Sequence, residues 1–487
     1  MNDLLEKIRE SIKNTVTIEG PIPVSDTSYP FCSMKHCRKP YDLAKLGYVE
    51  DEFFISGKAN VYKENGSGGM RIKLIQQPYK TRVLVRRPVN QEDFSGRVYL
   101  DILNATNNYD NEDLWTRIYN WCVKNGHGYI GITSKPCNLL ALKYFNYERY
   151  NSLCMNGETA PQPAPLVYNS VPGTEEGLFW DMLSQTAYQL RYGMRQNFFS
   201  GWPIKYLYLT GQSQSGAYLN TYIHYFDTAI SPLHLYNGYL NIVGAQLERP
   251  LCQSKQPKPL TFLYRANFRT STPFINITSE GDLSLFANFG AGDLIHHCPK
   301  NSDTPENRCR YYEIAGAPHY DIKCPVMASD SDILASKQHP KNISHEKEQL
   351  LNDIPLAYYV VGMLEKLHIW ATESKAPENI PPIERQADMK TLKRNKDGNV
   401  IGGLRPPMLQ VPVASYEGLD SSEPMAAIGT QHLFTKQKFY QRYKNKEEYF
   451  RRFDAAVNMQ LEQKWITKDA AENMKAWSRH KADALLQ

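Results

Sequence analysis

One serine stands in a context that could make it a catalytic nucleophile. Ser213 lies in the run Gly211-Gln-Ser-Gln-Ser-Gly216, between a strand-like stretch that begins at Tyr206 and a helix-like stretch that begins near Ala217. A strand, a tight turn through small residues and a helix are typical of a nucleophile elbow, which presents one serine hydroxyl at its apex. We therefore expect Ser213 to be the nucleophile of a covalent mechanism.

Ser215 is the alternative nucleophile in the same turn. Glycine stands two residues before Ser213, whereas Ser213 itself stands two residues before Ser215. The second glycine of the usual Gly-x-Ser-x-Gly pattern is also displaced by one position, to Gly216. The competing interpretation is that Ser213 only caps the following helix, as serine often does. The glycine spacing favours Ser213 over Ser215.

A serine hydroxyl needs a base and the base needs an acid to orient it, and both follow along the chain. Glu280 and Asp282 come directly after a strand-like run at 274–277, and His319 follows another at 310–314. The order serine, acid, histidine is that of the hydrolase topology. His319 is the expected base, its alternative being a loop histidine bonded to backbone. Either carboxylate could be the acid; Glu280 is slightly favoured because Gly281 allows a tight turn, and the other carboxylate would cap the loop.

Two backbone N–H groups should stabilise the oxyanion of such a reaction. One is expected from Gln214, the residue after the nucleophile. The other should come from the loop after the strand at 98–103, where Asn104 and Ala105 are the candidates. Asn104 also begins a glycosylation sequon, but its predicted place in the site argues against modification.

The surrounding pattern predicts a sheet that positions these loops. Alternating residues at 53–62, 70–75 and 81–87 predict antiparallel strands, and strands and helices then alternate, which is typical of a parallel sheet. We predict an α/β fold in which a mostly parallel central sheet follows antiparallel N-terminal strands. The expected organisation is an N-terminal helix and connector over 1–47, a core over 48–375 with a cap-like insert at about 134–176, and a C-terminal hairpin and helical extension over 376–487, packed on the core.

Composition and charge exclude several other classes. A net charge of +5 over 487 residues is too dilute to indicate nucleic acid binding. No apolar run is long enough to span a bilayer, and the charged N-terminus lacks the apolar core of a signal peptide. With nine cysteines and no CxxC pair, the chain is expected in the cytoplasm with free thiols, although a Cys298–Cys309 disulfide is conceivable. The His296-His297-Cys298 run lacks metal-ligand spacing, so neither metal nor cofactor is expected.

A resemblance to a known family adds to these interpretations. The runs 48–62 and 79–88, the Gly211-x-Ser-Gln-Ser motif, the Glu280-Gly-Asp turn, the His319 loop and the Gly402-Gly-Leu-Arg-Pro run are similar to those of a bacterial α/β-hydrolase-domain family that includes phthalyl amidase. The resemblance covers about residue 48 to the C-terminus. It implies an α/β-hydrolase fold and a serine esterase or amidase site, mapped onto Ser213, His319, and Glu280 or Asp282.

The sequence therefore predicts a serine hydrolase that cleaves a carboxylic ester or amide through an acyl-enzyme. An ester is favoured because its leaving group is better. The 32 tyrosines suggest a small-molecule substrate that is aromatic or bulky. The alternatives are an acyltransferase with the same triad and a protein of this fold that only binds a ligand or partner. Neither a nucleic acid nor a membrane is expected as partner, and self-association into a homo-oligomer stays open.

Overall fold

A computed structural model describes residues 2–66, 68–156, 171–193, 198–199, 201–253, 263–264, 269–286, 299–321, 328–340, 345–348, 350–389 and 391–487. These residues form two structural units. The first comprises Met1–Phe274, Thr304–Arg308 and Pro325–Lys341, and the second comprises Ile275–Asp303, Cys309–Cys324 and Asn342–Gln487. Part of the predicted cap-like insert, and the His296-His297-Cys298 run with its conceivable disulfide, lie outside the described residues.

The strands and helices of the described residues can be given in chain order. The strands are β1 (Thr17–Glu19), β2 (Tyr48–Glu64), β3 (Met70–Pro88), β4 (Arg97–Ile102), β5 (Gly128–Ile132), β6 (Cys154–Met155), β7 (Tyr206–Gln212), β8 (Gly238–Ile242), β9 (Leu247–Glu248), β10 (Leu263–Tyr264), β11 (Phe274–Ser279), β12 (Ser302–Thr304), β13 (Asn307–Ile314), β14 (Ala414–Glu417) and β15 (Thr430–Leu433). The helices are α1 (Asn2–Ile12), α2 (Asp113–Asn125), α3 (Pro136–Phe145), α4 (Tyr147–Tyr150), α5 (Phe179–Tyr192), α6 (Gln214–Ile230), α7 (Glu280–Leu285), α8 (Asp330–Ala335), α9 (His345–Glu348), α10 (Leu356–Glu373), α11 (Pro407–Gln410), α12 (Lys436–Arg442), α13 (Lys446–Glu462) and α14 (Lys468–Leu486).

The sheet of the first unit changes from antiparallel to parallel along its width. Its strand order is β1-β2-β3-β5-β4-β7-β8, with β6 beside β3. The pairs from β1 to β5 are antiparallel, and the pairs β5-β4, β4-β7 and β7-β8 are parallel. The predicted antiparallel start and parallel continuation are confirmed. Every residue of β5 and β8 is buried, as expected of parallel strands covered on both faces.

The register of the parallel strands brings three loops to one edge. Ile102 of β4 lies opposite Ile132 of β5 on one side and opposite Gly211 of β7 on the other. The chain segments that follow these three strands therefore leave the sheet at the same level. This edge carries the predicted oxyanion loop and the predicted nucleophile.

The structure of the first unit differs from one local prediction. The runs at 70–75 and 81–87 are one continuous strand, β3, because Gln76 adopts a left-handed conformation (φ 52°) inside the strand instead of a turn. Its N–H donates to the Asn60 side chain across the irregularity, at 3.1 Å. Near its start, the predicted cap-like insert contains α3, which begins at Pro136 and buries Leu139 and Leu142. Proline is tolerated at the first helical position, where its missing N–H is not needed.

The leading helix is held to the first unit by a buried carboxylate. The prediction of a helix near the N-terminus is confirmed by α1, which contacts α5 and α6. Asp181 of α5 accepts hydrogen bonds from Ser11 Oγ at 2.5 Å, from Asn60 N at 2.8 Å and from Tyr62 Oη at 2.7 Å. Burial raises the pKa of Asp181 to about 6.

In the second unit, two neighbouring strands lead into the loops that carry the predicted acid and base. β11 lies beside β13, which also pairs with β12, and β11 runs directly into α7. The hairpin β14-β15 and the helices α10 to α14 follow, with α13 packed on α14. The chain from Lys436 onward forms three helices, α12 to α14, and Thr467 caps α14 by accepting a hydrogen bond from Ala470 N.

Candidate active site

Ser213 occupies a strained position at the junction of β7 and α6. Its backbone has φ 78° and ψ −107°, in a region that non-glycine residues rarely adopt. The Ser213 N–H donates to Ile242 O at 2.9 Å, and its carbonyl accepts from Ala217 N at 3.0 Å. Such strain persists only where the surroundings impose it, and it is typical of functional turns. Ser213 is partly exposed, whereas Gln212 and Gln214 on either side are buried.

Close packing explains the displaced glycine of the motif. A Cβ on Gly211 would lie 2.3 Å from the carbonyl oxygen of Ser215, so the turn closes only with glycine there. A Cβ on Gly216 would lie 2.3 Å from Asn241 Oδ1 and 2.9 Å from Gly244 Cα. Close packing of the helix therefore requires glycine at position 216.

Ser215, the alternative nucleophile, has a buried hydroxyl. The residue is completely buried, and its Oγ donates to Leu103 O at 3.3 Å. A hydroxyl with this environment has no route to a substrate. The burial difference favours Ser213, in agreement with the preference from glycine spacing.

The loop after β4 is fastened to the elbow by Asn104. Its Nδ2 donates to Gln212 O at 2.8 Å and to Gln212 Oε1 at 3.0 Å. Its backbone N–H donates to Asn111 O at 3.1 Å, and its carbonyl accepts from Asn111 N at 2.9 Å. The Asn104 N–H is thus hydrogen-bonded within the loop. Asn104 holds the elbow through its side chain and does not supply the predicted oxyanion N–H.

The remaining predicted donors are the amides of Ala105 and Gln214. In a trans peptide the N–H points away from the preceding C=O, so the Ala105 N–H points away from Asn111. Gln214 is the first residue of α6, and the first N–H groups of a helix have no acceptor within that helix. The far end of the loop is fixed as well, since Asp110 accepts from Arg82 Nη1 at 3.1 Å and from the Thr133 hydroxyl.

In the second unit, Asp282 connects the start of α7 to the imidazole of His319. Ser279 caps the helix by accepting from Asp282 N at 3.2 Å, and Asp282 Oδ2 accepts from Ser279 N at 2.6 Å. The other carboxylate oxygen, Oδ1, is hydrogen-bonded to His319 Nδ1. One side chain therefore both completes a capping box, which fixes its rotamer, and meets the histidine.

Glu280, the slightly favoured acid, takes a different set of partners. It is 3% exposed, and its Oε1 accepts from Arg394 Nη2 at 2.6 Å. Its Oε2 accepts from Gly316 N at 2.8 Å, in the loop that leads to His319. Burial raises the pKa of Glu280, and the Arg394 guanidinium opposes that rise. The structure brings His319 to Asp282 and not to Glu280. The carboxylate that is not the acid was expected to cap the loop. Asp282 makes the capping contact as well as the contact with His319.

His319 is held in a defined orientation. It is 7% exposed, and the ring of Phe286 lies edge-on to it with a centroid separation of 5.8 Å. With Nδ1–H directed at Asp282, the neutral ring carries its lone pair on Nε2. That tautomer can accept a proton at Nε2, and the imidazolium that forms would be stabilised by the carboxylate.

One charged residue of the first unit, Lys135, was not identified from the sequence. Lys135 lies between β5 and α3 and is 1% exposed. Its Nζ donates to Ser134 Oγ at 2.7 Å, and to Leu103 O and Ser215 Oγ at 3.1 Å each. The available signal was a lysine placed just after a parallel strand, at the edge where functional loops gather.

The described residues contain neither a cluster of potential metal ligands nor a helix suited to crossing a bilayer. Among those residues, no group of three or more histidine, cysteine, aspartate or glutamate side chains could hold a metal ion. No helix of the described ranges has the length and apolar character needed to cross a bilayer.

A known protein family matches nearly the whole chain. A family model described as alpha/beta hydrolase domain matches residues 18–476. No curated protein matches. Among solved structures, Est1E from Butyrivibrio proteoclasticus with bound ferulic acid is 9% identical, covers 53% of this chain and 94% of its own, and has a TM-score of 0.28. A glucuronoyl esterase from Solibacter usitatus is 10% identical, covers 63% and 87%, and has a TM-score of 0.26. A serine hydrolase homologue from Coxiella burnetii is 7% identical, covers 53% and 91%, and has a TM-score of 0.26.

Proposed function

Since the chain belongs to the alpha/beta hydrolase domain family, we propose that it is a serine hydrolase that cleaves a carboxylic ester or amide. The predicted α/β-hydrolase fold is confirmed by this membership. Ser213 is the proposed nucleophile, His319 the base and Asp282 the acid. The observation that carries the proposal is the backbone of Ser213, a partly exposed serine held at φ 78° between a strand and a helix.

The proposed acylation begins with proton transfer. His319 Nε2 removes the hydroxyl proton of Ser213 as Oγ attacks the substrate carbonyl carbon. The tetrahedral intermediate carries its negative charge on the former carbonyl oxygen, which the amides of Ala105 and Gln214 stabilise. Collapse of the intermediate expels the alcohol or amine, which takes the proton from His319 and leaves an acyl group on Ser213.

Deacylation repeats these steps with water as the nucleophile. His319 takes a proton from water, the resulting hydroxide attacks the acyl carbon, and Ser213 leaves with the proton returned by His319. The contact between Asp282 and Nδ1 keeps the ring in the required tautomer throughout. Because this contact includes Asp282 and excludes Glu280, we assign the acid to Asp282.

The proposed substrate is a small ester or amide. An ester is favoured because an alcohol leaves more readily than an amine, and the abundance of tyrosine favours an aromatic or bulky substrate. The relation to phthalyl amidase, the cytoplasmic location and the absence of a cofactor stay predictions. Neither a nucleic acid nor a membrane enters the proposed reaction.

A fluorophosphonate probe tests the nucleophile directly. We expect the full-length protein to become labelled at Ser213, with hydrolysis of aryl esters lost in Ser213→Ala and its melting temperature kept within a few degrees. Ser215→Ala is the matched control and should still be labelled. Labelling at Ser215, or wild-type turnover by Ser213→Ala, would refute the proposal. Product analysis with added alcohols separates hydrolysis from acyl transfer, which would be the better description if acceptor esters outweighed free acid in water.

A further inference from the structure

We propose that Lys135 is a positioning residue that locks together the two backbone segments supplying the oxyanion donors. The inference rests on the proposed function, because it assigns Lys135 to the same site. Lys135 does not touch the reacting atoms. It acts through Leu103, which precedes the oxyanion loop, and through Ser215, which lies in the first turn of α6.

The hydrogen bonds around Lys135 match the capacity of an ammonium group. Its three N–H bonds have three acceptors, namely Ser134 Oγ at 2.7 Å and Leu103 O and Ser215 Oγ at 3.1 Å each. All four residues are essentially excluded from solvent. A buried cation is tolerated only when its donors are satisfied, and here each proton has an acceptor.

The two serines pass the connection on to the same carbonyl. Ser134 Oγ donates to Leu103 O at 3.0 Å and Ser215 Oγ donates to it at 3.3 Å. Leu103 O therefore receives the ammonium and both hydroxyls. Three donors on one carbonyl oxygen fix the plane of the peptide that links residues 103 and 104.

That peptide plane determines how the next one is presented. The N–H of Asn104 belongs to the same peptide as Leu103 O and donates to Asn111 O at 3.1 Å. The following peptide carries the Ala105 N–H, the proposed oxyanion donor. Ser215 lies one residue after Gln214, the source of the other donor. Lys135 thus links the segments that hold both donors, one in the loop after β4 and the other at the start of α6.

The charge of Lys135 is balanced by neighbours on several elements. Burial and, to a smaller extent, the Arg249 guanidinium lower the pKa of its ammonium to about 7, although Cys137, Glu176 and Asp110 act in the opposite direction. Lys135 Nζ also lies 4.3 Å from the centroid of the Tyr218 ring, whose hydroxyl donates to Glu176. In its neutral form the amine keeps two N–H donors and accepts from one serine, so the connection persists in both states.

A second Ser–Lys catalytic pair is the competing interpretation of the contact with Ser215. Such a pair needs a hydroxyl that a substrate can reach, and Ser215 is completely buried. The geometry fits a support that aligns neighbouring donors.

The variant Lys135→Met keeps approximately the length of the side chain and removes its hydrogen-bond donors. Its kcat and KM are measured with p-nitrophenyl acetate, and its affinity is measured for a trifluoromethyl ketone. Because misaligned oxyanion donors weaken transition-state binding selectively, we expect kcat to fall about 10- to 100-fold with KM within about twofold. Affinity for the ketone, whose adduct carries an oxyanion, should fall by the same factor as kcat/KM. Lys124→Met on the exposed face of α2 is the control and should match wild type.

The other possible outcomes also decide whether Lys135 has this positioning role. A folded Lys135→Met variant with wild-type kcat, or with reduced kcat and unchanged affinity for the ketone, overturns the inference. If Lys135→Met does not fold, Ser215→Ala replaces it and should weaken ketone binding at least threefold, and unchanged binding overturns the inference. If Ser213 in the wild-type protein resists the fluorophosphonate, the proposed function fails and this inference fails with it. Labelling of Ser213 together with an unaffected Lys135→Met variant removes the inference alone.

Discussion

Asp282 contacts the imidazole of His319, whereas Glu280, two residues earlier on the same short helix, does not. The two carboxylates differ because the capping box turns Asp282 toward Ser279 and His319, while Glu280 reaches Arg394 and Gly316 N. Both side chains hold the histidine loop, but by different means. Asp282 orients the ring, and Glu280 fixes the backbone three residues before it.

This difference predicts that two isosteric substitutions lower kcat to very different extents. Asp282→Asn replaces the carboxylate that holds the tautomer of His319, and we expect kcat for an aryl ester to fall about 10³- to 10⁴-fold with little change in KM. Glu280→Gln keeps the shape but weakens the ion pair with Arg394. We expect at most about a tenfold loss of kcat and a lower melting temperature, because the Arg394 guanidinium loses its charged acceptor. Equal losses of kcat, or the larger loss in Glu280→Gln, would contradict the assignment.

A second prediction concerns the displaced glycine of the elbow. In Gly216→Ala the new methyl group would collide with Asn241 Oδ1 and the backbone of Gly244. We expect a loss of about 1–3 kcal/mol in the free energy of unfolding and reduced fluorophosphonate labelling of Ser213, because α6 must shift. Urea denaturation and labelling rates measure the two effects. Gly69→Ala is the control, since its Cβ would meet only the movable side chain of Asn65, at 3.1 Å. If the two variants were equally stable, close packing would not be the reason for glycine at 216.

Much of the fold follows from local patterns in the sequence. The alternation of strands and helices predicted the parallel strands and the edge where the loops gather, since the carboxyl ends of parallel strands share one level. The break assumed between 75 and 81 was wrong, because a single left-handed residue, Gln76, continues β3 as an irregularity. A local pattern cannot separate a turn from a bulge when the partner strand supplies the stabilising contact, here the Asn60 side chain.

The proposed site could be predicted in its residue types and less so in their hydrogen-bond partners. Ser213, His319 and the pair of carboxylates could be chosen as candidates from their order after strands. The choice between Glu280 and Asp282 depended on Arg394, more than a hundred residues away in the chain, whose guanidinium engages Glu280. Asn104 could be placed in the right loop, but its pairing with Asn111 depends on the folded path of that loop. Partners that depend on the folded path of the chain leave no signal in one sequence.

The N-terminal helix provides a third prediction, about stability alone. Ser11→Ala removes one of the three hydrogen bonds to the buried carboxylate of Asp181. We expect the free energy of unfolding to fall by about 1–3 kcal/mol, because a buried acceptor loses a donor. Ester hydrolysis should be unchanged below the unfolding transition. Ser25→Ala in the exposed connector is the control and should be neutral. An intact stability in Ser11→Ala would mean that α1 is held by its apolar contacts.

The final prediction uses the protonation of Lys135. Its pKa is lowered to about 7 by burial, from 10.5 for an ordinary lysine. Between these values the unfolded chain carries a proton that the folded chain lacks, so unfolding takes up a proton. The free energy of unfolding contributed by this group therefore rises with pH from about 7 to 10.5 and is lost as the pH falls to 7. Lys135→Met lacks this contribution, whereas the other titrating groups are common to both proteins. The difference in unfolding free energy, wild type minus Lys135→Met, should thus increase from pH 7 to pH 10 in denaturant titrations. Parallel stability curves over this range would show that Lys135 keeps an ordinary pKa in the folded protein.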